Sequence, residues 1–276
     1  MNNKIPKIIH FCWFGGNPLP PLARKCIASW RKFCPDYKIV KWSEKNFDLD
    51  CCPYVREAYQ AKKWAFVSDV ARLYALATFG GVYMDTDVEV IKPIDKLLQY
   101  DAVSGFESDT EIPTGLMASR KNHPLMKELL EEYNDIHFMQ ENGEPDFTTN
   151  VTRITNTCLK YGFVANNKKQ TVGGFTLLPK DFLCPKDYRT DTLSITENTL
   201  TIHHFNGSWL TPQEKYMSHL MAKCRRHFPE SVSYQISSYI CEVVFNGVIK
   251  GTFNRAQAFC QNRIVLNDQT KRRIRK

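Results

Sequence analysis

Apolar positions in the first third of the chain alternate between the spacing of strands and the spacing of helices. Residues 7–14 form a short, nearly continuous apolar run that ends at two glycines, as expected for a strand buried on both faces of a parallel sheet. Residues 22–33 follow with apolar side chains at helical intervals, and residues 37–42 are typical of a second strand. Strand, helix and strand in this order predict the start of a nucleotide-binding α/β sheet.

A second pairing of helix and strand comes next. The helix predicted over residues 64–79 is apolar on nearly all sides, which indicates that it is buried, and two glycines close it. Residues 82–84 are predicted to form a strand that leads into an Asp-Thr-Asp sequence. The sequence Val-Glu-Val-Ile follows at 88–91.

The pattern weakens beyond Pro93. The other predicted helices cover 54–62, 123–139 and 149–161, and the other predicted strands cover 102–106 and 175–178, with a hairpin over 193–195 and 200–204. The chain contains no repeat and no low-complexity tract. We expect one α/β domain over residues 1–211 and a basic, helical extension over 212–276 that packs on the same domain.

Composition narrows the class of protein. The 276 residues are 43% hydrophobic and 24% charged, which excludes a disordered chain, a collagen and a coiled coil. No window reaches the roughly 20 apolar residues that a membrane span needs, and the first residues lack a signal-peptide pattern. The ten cysteines are scattered without the paired spacing of zinc sites, so we expect reduced thiols. These features predict a cytoplasmic protein.

The net charge of +8 is concentrated at the carboxyl end. Residues 212–276 contain 12 Lys and Arg against 4 Asp and Glu, whereas the rest of the chain carries 25 of each sign. Two interpretations stay open: a solvated surface with a frayed tail, or peripheral adsorption to anionic lipid headgroups on the cytoplasmic face of a membrane. Nucleic acid is not an expected partner, because no DNA-binding or RNA-binding motif accompanies the charge.

Asp85 and Asp87 are the first candidates for chemistry. They lie two residues apart at the end of a predicted buried strand, so in an extended chain both carboxylates point to the same side. Hard oxygen donors in this arrangement suit Mg2+ or Mn2+ bound to a diphosphate. Ligands of open α/β sheets bind outside the carboxyl ends of the strands, which is where this pair is predicted to lie.

Asp69 and Arg72 form a second charged pair, on the apolar helix that precedes this strand. They are three residues apart and therefore share one face of the helix. One interpretation is an ion pair within the helix, which contributes little at a surface and is costly in a core. We favour a pair that points into a polar cavity and positions a ligand, because the same helix leads directly into the Asp85 strand.

Three segments together resemble a known family. They are the Ile-Pro-Lys-Ile-Ile-His sequence at 5–10 with Trp13, the segment 66–74 that holds the charged pair, and the Gly-Gly-Val-Tyr-Met-Asp-Thr-Asp sequence at 80–87. The combination is similar to the DXD-containing glycosyltransferases related to the yeast α-1,6-mannosyltransferase family and to the catalytic domains of large clostridial glucosylating toxins. The resemblance is dense over residues 5–93 and thin afterwards.

The resemblance implies a fold, a cofactor and a reaction. Members have a GT-A type fold with a Rossmann-like nucleotide-binding sheet flanked by helices, so residues 1–211 would be the catalytic domain. They use a nucleotide-sugar donor with Mn2+ or Mg2+ and transfer a hexose with retention of configuration. A UDP-sugar is the favoured donor here, and GDP-mannose is the alternative. Bacterial members build capsular and other surface polysaccharides, so the implied partner is a growing glycan acceptor, for which a lipid-linked glycan is the leading candidate.

The resemblance also implies roles for single residues. The residues implied to contact the nucleotide sugar are Ile8, His10, Trp13, Ser68, Asp69, Arg72, Asp85 and Thr86. The first three would line the base pocket, where Trp13 offers a stacking face. Asp69, Arg72 and Asp85 would act on the donor sugar, and Asp85 and Asp87 would hold the metal.

A later segment, His-His-Phe-Asn-Gly-Ser-Trp at 203–209, is similar to the part of related enzymes that closes over the diphosphate. There a histidine is a third metal ligand and a Ser-Trp pair binds phosphate oxygens, which implies these roles for Ser208 and Trp209. We prefer His204 as the ligand because it keeps the H-x-x-G spacing of the family. His203 would face the opposite side if this segment is a strand.

Two other classes of function stay open. A phosphohydrolase of the haloacid dehalogenase type also places Asp-x-Asp after an apolar strand, but it needs Thr or Val where this chain has Glu89. A non-catalytic binder of nucleotide sugars would leave the charged helix pair unexplained. Residues 107–147 show no family signature although acceptor contacts are expected there, so the acceptor-side catalytic residue is not assigned.

Overall fold

The computed structural model describes residues 4–207 and 210–247 of the chain. The helices are α1 (Pro21–Phe33), α2 (Pro53–Gln60), α3 (Trp64–Phe79), α4 (Pro124–Glu131), α5 (Asn150–Lys160), α6 (Lys180–Leu183), α7 (Pro212–Cys224) and α8 (Glu230–Asn246). The strands are β1 (Ile8–Cys12), β2 (Lys38–Trp42), β3 (Gly81–Met84), β4 (Val88–Val90), β5 (Ala102–Gly105), β6 (Leu116–Ser119), β7 (Gln170–Val172), β8 (Phe175–Leu178), β9 (Lys186–Asp187), β10 (Thr192–Leu193) and β11 (Thr201–His203).

A seven-stranded sheet with the order β2-β1-β3-β6-β5-β8-β7 forms the centre of the fold. β1 runs parallel to β2 and β3, and β5 runs parallel to β8, while β6 is antiparallel to both β3 and β5. β3 and β5 therefore point the same way and end at the same edge of the sheet. The predicted α/β class with a sheet flanked by helices is confirmed, although β6 was not predicted because its four residues are too short to show a period.

The helix α3 is the most buried helix of the sheet layer, as its apolar sequence predicted. Ten of its residues are buried, and they pack with α2 and α4 in one of the two cores that cover the sheet. Gly80 ends the helix with φ 68°, a conformation that L side chains rarely adopt. A Cβ atom at this position would also lie 2.5 Å from the Lys121 nitrogen, so both space and backbone conformation require glycine. The helix therefore turns directly into β3.

One predicted helix is shorter than its pattern indicated. The helix predicted over residues 123–139 ends at Glu131. The chain after Glu131 instead contacts α2. Glu57 on that helix contacts the His137 ring at 2.7 Å and accepts a hydrogen bond from the Met139 N–H at 3.0 Å. These tertiary contacts replace the helical hydrogen bonds that periodicity alone would have continued.

The predicted hairpin is wrong. β11 pairs antiparallel with β4, with His203 opposite Val88, instead of with residues 193–195. This pairing joins the strand after the Asp-Thr-Asp turn to a strand that lies more than a hundred residues further along the chain. This pairing brings the segment after His203 beside the turn, because the His204 N–H donates to the Asp87 carbonyl at 3.0 Å.

The chain divides into two compact units, Met1–Asp187 with Leu193–Trp209, and Tyr188–Thr192 with Leu210–Lys276. In the second unit, Thr211 and Glu214 form a capping box at the start of α7, and α8 buries Ser233, Ser237 and Cys241 at intervals of four residues. Whether residues 212–276 pack on the first unit stays a prediction. In the part of the chain that the structure describes, no helix is long and apolar enough to cross a membrane.

Candidate functional site

The Asp85–Asp87 turn lies at the edge of the sheet where β3 and β5 end. The Asp85 N–H donates to the Gly115 carbonyl at 2.8 Å, which ties the turn to the start of β6. The Val88 N–H donates to the Asp85 carbonyl at 3.0 Å and closes the turn on itself. Two carboxylates are thus fixed at the carboxyl edge of the sheet, where open α/β sheets bind ligands.

Arg72 links the charged residues of α3 to this turn. Its guanidinium contacts the Asp69 carboxylate at 3.2 Å and the Asp85 carboxylate at 3.1 Å, and its side chain is only 6% exposed. The guanidinium also lies 4.7 Å from the centre of the Tyr83 ring, whose hydroxyl donates to Asp85 at 2.8 Å. The ion pair within α3 is therefore present, and it continues to Asp85 at the end of β3. That the pair positions a ligand stays a prediction.

The carboxylates around Arg72 outnumber the positive charges that compensate them. Burial raises the pKa of Asp69 to about 6, although Arg72 opposes the shift. Burial also raises the pKa of Asp85, with Arg72 acting in the opposite direction and the nearby Asp87 adding to the increase. One guanidinium is shared among these groups, so an additional cation would stabilise the charged form of the cluster.

Asp87 is held on both of its oxygens. One lies 3.4 Å from His203 Nε2, and the other accepts a hydrogen bond from the Asn206 N–H at 2.8 Å. Burial favours the protonated acid, but the charge and hydrogen bond of His203 outweigh it and lower the pKa of Asp87 to about 2. Burial acts against the charged form of His203 as well, but Asp87 raises the pKa of the imidazole well above its ordinary value.

Asp85, Asp87 and His203 fit a divalent cation. One ligand atom from each side chain can be chosen so that all of them lie within 4.8 Å of one another. His203 Nδ1 is buried and finds no hydrogen-bond partner in the described residues. Two carboxylate oxygens and an imidazole nitrogen are ligands that suit Mn2+, and the carboxylates also suit Mg2+.

His204 does not face this cluster. Its Nε2 lies 2.8 Å from Glu89, which also binds Lys25 at 3.0 Å. Successive residues at the end of a strand point to opposite sides, and the pairing of β11 with β4 turns His203 towards Asp87. The preference for His204 is therefore corrected: His203, and not His204, lies with Asp85 and Asp87 where a cation could be held.

The predicted base pocket is brought together only in part. His10 is 1% exposed, and both ring nitrogens are used in the core, one by the Trp42 Nε1–H at 3.2 Å and the other by the Gly80 carbonyl at 2.8 Å. Ile8 lies at the amino end of β1, away from the site. Trp13 follows the carboxyl end of β1 and is half-buried, so only Trp13 of the three is placed to contact a ligand at this edge.

The remaining predicted contacts are placed as follows. Ser68 lies on α3 beside Asp69, and its hydroxyl donates to the Trp64 carbonyl at 2.9 Å. Thr86 lines a small crevice at the start of α1, together with Asp87 and Asn206. Ser208 and Trp209 lie outside the described residues, so their predicted roles remain predictions.

Two residues of the site were missed from the sequence. Tyr83 lies on β3 two positions before Asp85, which follows the strand in the chain, so the alternation of an extended chain could have supplied this signal. Glu107 follows β5, and burial raises its pKa to about 7, with smaller effects from His203, Asp85 and Arg72. No local pattern marks Glu107, because only the sheet brings the ends of β3 and β5 together.

Comparisons with known proteins agree with this geometry. Residues 20–104 match the family model described as the glycosyltransferase sugar-binding region containing the DXD motif. Residues 20–104 are thus similar to the sugar-binding region of DXD-motif glycosyltransferases. The predicted resemblance to DXD-containing glycosyltransferases is thus confirmed.

Individual relatives are similar over part of their length. Inositol phosphoceramide mannosyltransferase 3 of Schizosaccharomyces pombe is 30% identical over 130 residues, which is 46% of this chain and 36% of the relative. An uncharacterized glycosyltransferase of Acanthamoeba polyphaga mimivirus is 26% identical over 76% of this chain and 86% of its own. The chain spans 34–46% of the length of the five inositol phosphoceramide mannosyltransferases and mannosyl phosphorylinositol ceramide synthases that it matches.

A solved structure is similar as well. It is a glycosyltransferase involved in the glycosylation of the major capsid of PBCV-1, and it covers 78% of this chain and 99% of its own. The identity is 17% and the TM-score is 0.42.

Proposed function

We propose that this protein is a metal-dependent hexosyltransferase that takes a hexose from a nucleotide sugar and transfers it to a glycan acceptor. The observation that carries the proposal is the convergence of Asp85, Asp87 and His203 beside the Arg72 guanidinium. A sugar diphosphate is bound by a metal ion and by positive charge. This sheet edge offers three possible metal ligands and one fixed positive charge. The match to a DXD sugar-binding region supports the same conclusion.

Some residues of the site would bind the metal, and others would bind the sugar diphosphate. Asp85, Asp87 and His203 would hold Mn2+ or Mg2+, which supplies positive charge to the departing diphosphate. Arg72 adds a second positive charge, and Asp69 and Tyr83 hold its guanidinium in place. Because these groups are fixed before the reaction, little reorganisation is needed when charge develops on the leaving group. Retention of configuration is part of this proposal.

The donor is proposed to be a hexose linked to UDP or GDP. Trp13 at the end of β1 offers the stacking face for the base. The residues of the site do not discriminate between the two nucleotides, and a UDP-sugar remains our favoured donor. Four of the relatives are named as mannosyltransferases, which supports GDP-mannose as the first alternative to test.

The acceptor is proposed to be a growing surface glycan, with a lipid-linked glycan as the leading candidate. The support is the excess of positive charge in residues 212–276, where 12 basic residues stand against 4 acidic ones. Adsorption to an anionic cytoplasmic leaflet would place the site beside such an acceptor. This part of the proposal rests on charge and composition.

A pair of histidine variants tests the metal site. His203→Ala should raise the Mn2+ concentration needed for donor hydrolysis and lower the maximal rate, because it removes a proposed ligand. His204→Ala is the matched control, since its ring contacts Glu89 on the other side of the strand. Hydrolysis of GDP-mannose and UDP-glucose is followed across a Mn2+ titration. Equal effects of both variants, or no metal dependence in the wild type, would contradict the proposal.

A further inference from the structure

An exposed aromatic ring, that of Phe147, lies beside the amino-terminal part of α3. The ring belongs to a side chain that is 54% exposed. Because Gly80 turns α3 directly back into β3, the first turn of α3 lies near the end of β3, which is the edge of the sheet that holds Asp85. Gly15 follows the parallel strand β1 and supports this placement, since a Cβ atom there would lie 2.5 Å from Trp64 Nε1.

The Phe147 ring is held in position although it is exposed. Its centre lies 5.7 Å from the centre of the Phe66 ring and 6.2 Å from that of Phe138. The preceding residue, Asp146, forms an ion pair with Arg153 of α5, which fixes the backbone at this point. A ring that is already fixed loses little side-chain entropy when a ligand stacks on it, and this favours binding.

Two contacts connect this ring to the charged residues of α3. Phe66 precedes Asp69 by three residues on the helix, so the two side chains share one face. Asn150, at the start of α5 and three positions after Phe147, donates its Nδ2–H to the Asp69 carbonyl at 3.0 Å. Phe147 therefore lies beside the Asp69–Arg72 pair of the proposed site.

Lys63 and Trp64 add two hydrogen-bond donors to this surface. The Lys63 ammonium lies 5.3 Å from the centre of the Phe147 ring, and within the described part of the chain it binds no carboxylate. The half-buried Trp64 side chain follows, and its Nε1–H has no acceptor among the same residues. Lipid tails or an apolar protein surface placed here would leave both donors unsatisfied, which is costly. A sugar ring instead offers C–H groups to the aromatic face and hydroxyl oxygens to the donors.

We propose that Phe147, Lys63 and Trp64 form a subsite for one hexose ring of the acceptor glycan. The hexose stacks on Phe147, and its hydroxyl groups accept hydrogen bonds from Lys63 and Trp64. This inference rests on the proposed function, because the subsite places the acceptor beside the Asp69–Arg72 pair. It names a neutral hexose ring as the part of the acceptor that the protein recognises.

Saturation-transfer difference NMR on the full chain tests the subsite without requiring turnover. The probes are methyl α-D-mannoside, methyl α-D-glucoside and methyl β-D-galactoside, each titrated with Mn2+ and either UDP or GDP present. At least one probe should bind the wild type, and Phe147→Ala should raise its Kd about tenfold through loss of the aromatic contact. Phe147→Leu keeps an apolar side chain but removes the flat face, so it should raise the Kd as well. Phe79→Ala is the matched control, because Phe79 is 42% exposed and lies at the other end of α3, about 20 Å away.

Several outcomes would overturn the subsite. They are binding of no probe to the wild type, the same Kd in Phe147→Leu as in the wild type, and an equal increase in Phe79→Ala. Binding to phosphatidylglycerol vesicles that is lost in Phe147→Leu, with no binding of any probe, would assign this surface to a membrane instead. A separate titration of UDP and GDP with Mn2+ tests the proposed function. If neither nucleotide binds, that function fails, whereas hexoside binding that depends on Phe147 would still support a carbohydrate subsite.

Discussion

Replacing Arg72 with lysine tests whether the planar guanidinium, and not only its charge, organises the site. The two terminal nitrogens of Arg72 reach different carboxylates, Asp69 at 3.2 Å and Asp85 at 3.1 Å. A lysine ammonium is a compact charge that cannot span both positions from α3. Arg72→Lys therefore keeps the net charge and leaves one buried carboxylate without its partner.

The expected loss of stability follows from these contacts. A hydrogen bond to a charged group contributes roughly 1.5–3 kcal/mol, and the contact with the Tyr83 ring adds about 1 kcal/mol. Breaking a buried ion pair completely costs about 3–5 kcal/mol, which is an upper limit because lysine keeps one partner. The Asp85 side chain is 27% exposed, so solvent screens part of the loss. We expect a decrease in the free energy of unfolding of about 2–3 kcal/mol.

The matched control is Arg120→Lys. Arg120 binds Asp101 at 3.2 Å, but both side chains are about 40% exposed, at 39% and 43%. Such a surface pair contributes about 0–1 kcal/mol. Urea unfolding of the metal-free protein measures stability in both variants, and donor hydrolysis with saturating Mn2+ measures turnover. Arg72→Lys should lose both stability and turnover, while Arg120→Lys should lose neither to a measurable extent.

Two outcomes for Arg72→Lys would contradict this prediction. If Arg72→Lys unfolds at the same urea concentration as Arg120→Lys and keeps its turnover, the Arg72 guanidinium contributes no more than a surface ion pair does. If it loses stability with normal turnover, the cluster holds the fold and takes no part in the reaction.

Two further predictions concern charge. The pKa of Asp87, about 2 against an ordinary value of 3.8, means that the ionised residue stabilises the metal-free fold above about pH 4 and that this contribution, about 2 kcal/mol, is lost as the pH falls towards 2. Asp87→Asn should therefore be less stable than the wild type by urea unfolding at pH 7, and the gap should narrow at pH 3; a gap independent of pH would contradict the assigned pKa. Removing residues 271–276 deletes five basic residues, so cosedimentation with anionic vesicles at low salt should weaken while donor hydrolysis is unchanged. Equal binding with and without these residues would show that the tail is only a solvated surface.

The sequence alone determined the parts of the fold that are local. The apolar helix over residues 64–79, its glycine end and the strand before Asp85 follow from spacing and backbone conformation, and the structure has all of them. The family resemblance rests on the same stretch, because its motif residues are neighbours along the chain. Asp69 and Arg72 could be paired from their spacing on one helix for the same reason.

Only the tertiary structure decided what lies opposite this stretch. His203 rather than His204 faces Asp87, because β11 pairs with β4, and a strand register changes the direction of every side chain when it shifts by one residue. His10 is in the core because Trp42 and the Gly80 carbonyl occupy both of its nitrogens, and neither contact is local in the sequence. Glu107 reaches the site because β6 holds β3 and β5 in one sheet. Side-chain direction at long-range contacts depends on pairing between distant strands, and hydrophobic spacing within a single strand carries no information about which partner it will meet.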